Sequence, residues 1–156
     1  MGAEEPRWLS DQQVASWIVF ERMLVRLRAE LDAEMQRRAG LTQFEYDVLA
    51  GLSAQPGRYM RISTLAQYTH GSLSRMSHLI KRLERRGWIR REPDSRDGRY
   101  TNAILTDSGY AKVVATAPDQ VALVRRLVVD VLSPAQLRQL GRISDAITAR
   151  LTDDGC

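Results

Sequence analysis

The residues best equipped for chemistry in this 156-residue chain are cations and short hydroxyls set at helical spacing. Between Leu73 and Arg86, the side chains of Ser74, Arg75, Ser77, His78, Lys81, Arg82 and Arg85 fall opposite an apolar stripe of Met76, Leu79, Ile80 and Leu83. Such a face offers donors and acceptors to base edges, with cations beside them for phosphates. A second group, Arg96, Asp97 and Arg99, lies in or just after the turn run Pro93-Asp-Ser-Arg-Asp-Gly98. An arginine-tipped turn suits a narrow minor groove. Both groups sit in the basic centre of the chain. From Arg58 to Arg99 there are eleven Lys/Arg, Arg61 among them, against four acids, a local charge of +7, while the rest of the chain carries −3. That distribution is the electrostatic footprint of a polyanion partner. Nearly all the bases are arginine, whose planar fork fits phosphate and guanine. The alternative for these residues is an ordinary solvated charged face.

Catalytic, metal and redox chemistry have little to work with. Cys156 is the single cysteine, so a disulfide, a cysteine zinc site and a buried redox thiol are excluded within one chain. His70 and His78 are the only histidines, and they lie across a turn rather than on one helical face. No HExxH, phosphate-loop or nucleophile-elbow motif occurs. The expectation is no enzyme, no metal and no cofactor. Residues 1–7 are acidic and polar, unlike a secretory leader, and no apolar run approaches the ~20 residues of a membrane span. A cytoplasmic protein with no membrane partner is expected.

The elements that must hold these residues read as mostly helical. From Trp8 to about Arg38, Trp17, Phe20, Leu24, Leu27 and Leu31 follow a heptad seam. Gly40 ends this helix. Thr42-Gln-Phe-Glu45 reads as a capping box for a second helix carrying Phe44, Val48, Leu49 and Leu52 and ending near Pro56-Gly57. A short third helix spans Ile62 to about Tyr68 with Leu65 and Ala66 inward. After a turn at Thr69-His70-Gly71, Ser72 caps the fourth, which Gly87 ends. Trp88–Glu92 and Arg99–Leu105 read as the strands of a hairpin. Thr106 caps a long helix whose seam is Val114, Ala117, Val121, Val124, Val128 and Val131, kinked near Thr116 by Pro118. Ser133-Pro-Ala-Gln136 starts the last helix, which runs to about Leu151 with Leu137, Leu140, Ile143 and Ile147 inward.

Helix, Gly-containing turn, helix and basic hairpin compose a winged helix-turn-helix. The order is α-α-α-α-β-wing-β-α-α, mainly α with a small β-hairpin wing. A major groove about 12 Å wide admits one helix, and the fourth helix has the face for it.

The stretch from Leu41 to Gly109 resembles the MarR (multiple antibiotic resistance regulator) family. The resemblance is carried by Ile62-Ser-Thr-Leu-Ala66, the run Ser72–Gly87 ending Arg82-Leu-Glu-Arg-Arg-Gly87, Asp97-Gly-Arg99 and Leu105-Thr-Asp-Ser-Gly109. It implies a two-fold homodimer, with residues 8–40 and 107–151 as a helical dimerisation domain, 41–106 as the DNA-binding domain, and 1–7 and 152–156 as disordered tails. Two heptad seams on one short chain agree with a need for partner surface. The resemblance further implies a sequence-specific regulator of double-stranded DNA, a ligand-responsive repressor on a pseudo-palindromic operator. Arg61, Ser72, Ser74, Arg75, Ser77, His78, Lys81, Arg82, Arg96, Asp97 and Arg99 are the expected DNA-binding residues. The resemblance also implies that Asp97 orients Arg99 for the minor groove. Many relatives carry Thr and Arg where this chain has Arg75 and His78, so base preference does not transfer. The effector implied is small and aromatic or anionic, and Trp17, Phe20 and Tyr46 are the candidates to line its pocket, with core or dimer interface as the alternative. The thiol-sensing branch of the family uses a cysteine near the first helix, and none stands there. The competing reading of the whole chain is a winged-helix interaction module whose basic face meets an acidic protein.

Overall fold

Ser10, Ser72, Thr106 and Ser133 each start a helix by accepting a free amide of its first turn. The computed structural model describes residues 6–69 and 71–153; His70, Cys156 and residues 1–5 and 154–156 lie outside it. Helix α1 (Asp11–Ala39) begins three residues later than the heptad pattern suggests. Ser10 and Gln13 form a reciprocal capping box there, the Ser10 N–H donating to Gln13 Oε1 at 2.9 Å. Trp8 and Leu9 are left exposed. Gly40, with φ 64°, closes the helix in the left-handed region that glycine tolerates.

The chain divides into two compact units, one up to Phe44 and one from Glu45 onward. In the first, Trp17 and Leu24 of the seam are exposed, 52% and 47%, while Phe20, Leu27 and Leu31 are partly covered. Asp32 accepts the Gln43 N–H at 2.8 Å and ties the turn after α1 to that helix.

The second unit holds most of α2 (Gln43–Ser53), whose Val48, Leu49 and Leu52 are fully buried. A 3-10 turn (Pro56–Arg58) follows, with positive φ at both Gly57 (71°) and Arg58 (54°). Strand β1 (Tyr59–Arg61) is absent from the sequence reading: three residues give no alternation to detect, and it exists only by pairing. Helices α3 (Ile62–Tyr68) and α4 (Leu73–Arg85) come next. Strands β2 (Ile89–Pro93) and β3 (Thr101–Leu105) form the hairpin, each starting later than the pattern placed it. The sheet is antiparallel in the order β1-β3-β2, with Met60 and Arg91 both opposite Ala103. Ile89, Ala103 and Leu105 join Leu65, Met76, Leu79, Ile80 and Leu83 in the core. Burying such a side chain stabilises by about 1.5–3 kcal/mol.

Helix α5 (Asp107–Leu127) starts at Thr106, whose hydroxyl accepts the Gly109 N–H at 3.0 Å. It runs unbroken past Pro118 but stops before the end of the expected seam. Val128 leaves helical geometry at φ −133°, and Val129–Val131 form a 3-10 turn. Helix α6 (Pro134–Asp153) has the expected reciprocal cap: Ser133 N–H donates to Gln136 Oε1 at 2.9 Å and Gln136 N–H to Ser133 Oγ at 3.3 Å. It includes Thr152 and Asp153, expected in the tail. Ile143 and Ile147, expected inward, are 47% and 41% exposed, and Val114 and Val121 are 54% and 58% exposed. Their periodicity is real, but this chain alone does not cover them. Among the described residues, no helix is long and apolar enough to cross a membrane.

Candidate nucleic-acid interface

Helix α4 is fixed in rotation by its own burial. Met76, Leu79, Ile80 and Leu83 are 0–2% exposed, so the opposite side must face solvent. Ser74, Arg75, His78, Lys81, Arg82 and Arg85 are exposed there, with Ser77 partly covered at its margin. Ser72 accepts the Arg75 N–H at 3.2 Å and so holds the first turn that carries Arg75. Trp88 N–H donates to Leu83 O at 3.1 Å, and Gly87, at φ 76°, makes the reversal into β2.

Two of the expected DNA-binding arginines are held by carboxylates distant in sequence. Arg82 Nε donates to Glu45 Oε1 at 2.7 Å; the Glu45 side chain is 5% exposed and that of Arg82 50%. Arg61 Nε donates to Asp94 Oδ2 at 2.9 Å, and its guanidinium lies 4.5 Å from the Tyr100 ring centroid. The bond to Asp94 is the main reason the Arg61 pKa is raised. Arg61 therefore anchors the base of the hairpin tip. Asp94 Oδ1 also accepts the N–H groups of Arg96 (2.9 Å) and Asp97 (3.1 Å). Arg61 first, then the Arg96 amide, hold the Asp94 carboxyl far below the usual carboxylate range.

The tip itself is closed by Asp94 N–H to Tyr100 O (2.9 Å) and Tyr100 N–H to Asp97 O (3.0 Å). Asp97 accepts from Arg99 Nε at 3.0 and 3.2 Å, from Nη2 at 2.7 Å and from the Arg99 backbone N–H at 3.1 Å. These bonds lower the Asp97 pKa, the side-chain one most. Arg99 remains 86% exposed, so the carboxylate sets its direction without covering it. Arg96 is exposed beside it. Arg91 of β2 reaches Glu84 of α4, Nε to Oε2 at 2.9 Å, and couples the hairpin to the helix. Arg90 pairs with Glu92.

Neither Glu45 nor Asp94 stands out in the sequence as a partner for an arginine. Asp94 had a local signal, since an aspartate in a turn commonly accepts the amide two residues on. The place of Glu45 in Thr42-Gln-Phe-Glu45 suggests only a capping carboxylate, and no local signal links it to Arg82. Of the candidate effector residues, Trp17 and Phe20 belong to the first unit, their ring centroids 6.1 Å apart and tilted by 47°. Tyr46 belongs to the second and is partly covered; burial first, then Asp47, raises its pKa. A cleft of about 410 Å³ in the second unit is lined by Gly57, Arg58, Arg90, Ile104, Leu105, Thr106 and Asp107.

A model of the MarR family matches residues 39–99. The HTH-type transcriptional regulator PecS of Dickeya dadantii (strain 3937) is 33% identical over 95 residues, 60% of this chain. The match spans 55% of PecS, so the chain covers about half the length of that curated relative. Among solved structures, Sco3205, a MarR family transcriptional regulator from Streptomyces coelicolor crystallised in complex with DNA, is 39% identical with a TM-score of 0.90, covering 94% of this chain and 91% of its own. AbsC, a MarR family regulator from the same organism, is 36% identical with a TM-score of 0.90, covering 95% of this chain and 99% of its own.

Proposed function

The chain belongs to the MarR family of transcriptional regulators, a family of DNA-binding proteins rather than enzymes, and on that premise we propose that it is a homodimeric, ligand-responsive repressor. In this reading α4 enters the major groove, with Arg75 and His78 toward base edges and Ser72, Ser74, Ser77, Lys81 and Arg82 toward base edges or phosphates. Arg96 and Arg99 reach the adjacent minor groove, Asp97 aiming Arg99. Arg61 supports the hairpin from its base. The observation that carries the reading is the burial of one α4 stripe beside an exposed cationic one, with an aimed arginine at the hairpin tip.

The dimer is supported by apolar side chains left exposed in both units, Trp17 and Leu24 in one and Val114, Val121, Ile143 and Ile147 in the other. Residues 8–40 and 107–151 then form the dimerisation part and 41–106 the DNA-binding part. Two-fold symmetry places the recognition helices about one DNA turn, roughly 34 Å, apart, on a pseudo-palindrome. An effector, small and aromatic or anionic, acts by linkage: preferring the dimer whose helices are misplaced, it weakens DNA binding by the same factor that DNA weakens it.

A gel shift on the promoter region beside its own gene, titrated with salt, tests the core of this. With about six to ten phosphate contacts, affinity falls roughly 10³–10⁵-fold between 50 and 200 mM salt. A flat salt response with equal affinity for random duplex refutes it, and binding to an acidic protein that duplex DNA fails to compete would favour an interaction module.

A further inference from the structure

We propose that Glu45 is a positioning residue for DNA recognition: its buried carboxylate grips Arg82 by Nε and aims the outer edge of that guanidinium at a phosphate beside the bases read from Arg75. The proposal deepens the DNA-binding reading above and rests on it.

Three observations meet here. First, Arg82 lies seven residues after Arg75 and four after His78, so the three form one stripe along the exposed side of α4. Arg82 stands in the last turn of α4, one turn beyond His78 and past the N-terminal residues with which a groove-bound helix meets base edges. Second, the 2.7 Å bond uses the inner nitrogen of the guanidinium, while the side chain stays 50% exposed. A guanidinium held by its inner edge presents its terminal amino groups in a fixed plane, the geometry that a phosphate accepts. Third, Glu45 is only 5% exposed. A carboxylate so covered is costly to strand without its cation, so Arg82 stays tied when DNA arrives. The arginine thus enters the complex already ordered and loses less rotamer freedom than a free surface arginine. The same device operates in plain view at the tip, where Asp97 holds Arg99.

The test uses a duplex enriched from a random library by the wild-type protein, with an unselected duplex of equal length as reference. Binding is measured across salt well below the melting temperature of every variant. Glu45→Gln keeps shape and removes the charge; it is expected to lose about tenfold in affinity for the enriched duplex with the salt slope unchanged. Arg82→Ala is expected to lose at least as much, with a slope shallower by about 0.9, one phosphate contact. The double variant should bind no worse than Arg82→Ala. Arg82→Lys keeps the slope but not the affinity, because an ammonium has no second edge to present. Wild-type affinity in Glu45→Gln overturns the proposal, as does a double variant whose loss is the product of the two single losses. Should Glu45→Gln fail to fold, wild-type affinity in Arg82→Lys overturns it equally. If the wild-type protein enriches no duplex, the DNA-binding reading fails, and this proposal with it.

Discussion

Replacing Gly109 by alanine isolates a close approach that the fold requires. Gly109 is buried in the first turn of α5, against the turn that links α4 to β2. A Cβ there would fall well inside contact distance of the Trp88 carbonyl oxygen, 2.7 Å from Leu105 Cδ1 and 3.0 Å from the Trp88 carbonyl carbon. Two of those atoms are backbone and cannot rotate aside. The Trp88 carbonyl also accepts the Thr106 N–H at 3.0 Å, and the Thr106 hydroxyl donates to Gly87 O at 2.7 Å while accepting from Gly109 N. Moving the turn away therefore strains the cap as well. Overpacking costs about 1–3 kcal/mol and a weakened cap about 1 kcal/mol. Alanine recovers at most about 1 kcal/mol through helix propensity. The net loss is about 1–3 kcal/mol, roughly 2–12 °C in Tm for a chain of this size. Urea or thermal unfolding followed by circular dichroism reads it. Gly98→Ala is the control, since nothing lies within 4 Å of its Cβ, and its change should stay within about 0.5 kcal/mol. Equal stability of the two variants would refute the close-approach explanation of the glycine in Leu105-Thr-Asp-Ser-Gly109.

Arg75→Ala should relax base preference at one operator position by about 1–3 kcal/mol, whereas Arg99→Ala should weaken binding evenly across sequences and make the salt slope shallower by about one unit; binding to a single-substitution operator library separates the two. The carboxyls of Asp94 and Asp97 have pKa values depressed by their arginine partners. Their contribution to hairpin order is thus fully present above the ordinary carboxylate range, and is lost only as pH falls below about 4 toward the depressed values. Amide exchange at Arg96, Asp97 and Arg99 should stay constant from pH 7 to 5 once corrected for intrinsic rates, and loosening in that interval would contradict the geometry. Leu83→Ala removes a fully buried side chain from α4 and should destabilise by about 2–5 kcal/mol in denaturant titration.

Short-range physics was legible along the chain. The bounds of α3, the buried stripe of α4 and the capping roles of Ser72, Thr106 and Ser133 all follow from neighbours within four residues, because helix periodicity and caps are local. The tip geometry of Asp97 and Arg99 is local too. Strand β1 was not legible, since three residues become a strand only when β3 offers its edge. The early end of α5 at Leu127 ran against an apolar phase that continued in sequence.

The sequence by itself determined where helices begin, which stripe of α4 is buried and that the cations gather on one segment, for each depends on residues a few positions apart. Only the tertiary structure decided what those cations are bonded to. Arg82 meets Glu45 across 37 positions and Arg61 meets Asp94 across 33. Nothing in either neighbourhood encodes such a meeting; it arises when packing brings α2 against α4 and the hairpin against β1. Charge composition sets how strongly a surface attracts a polyanion, while the carboxylates that folding delivers set the direction in which each guanidinium points.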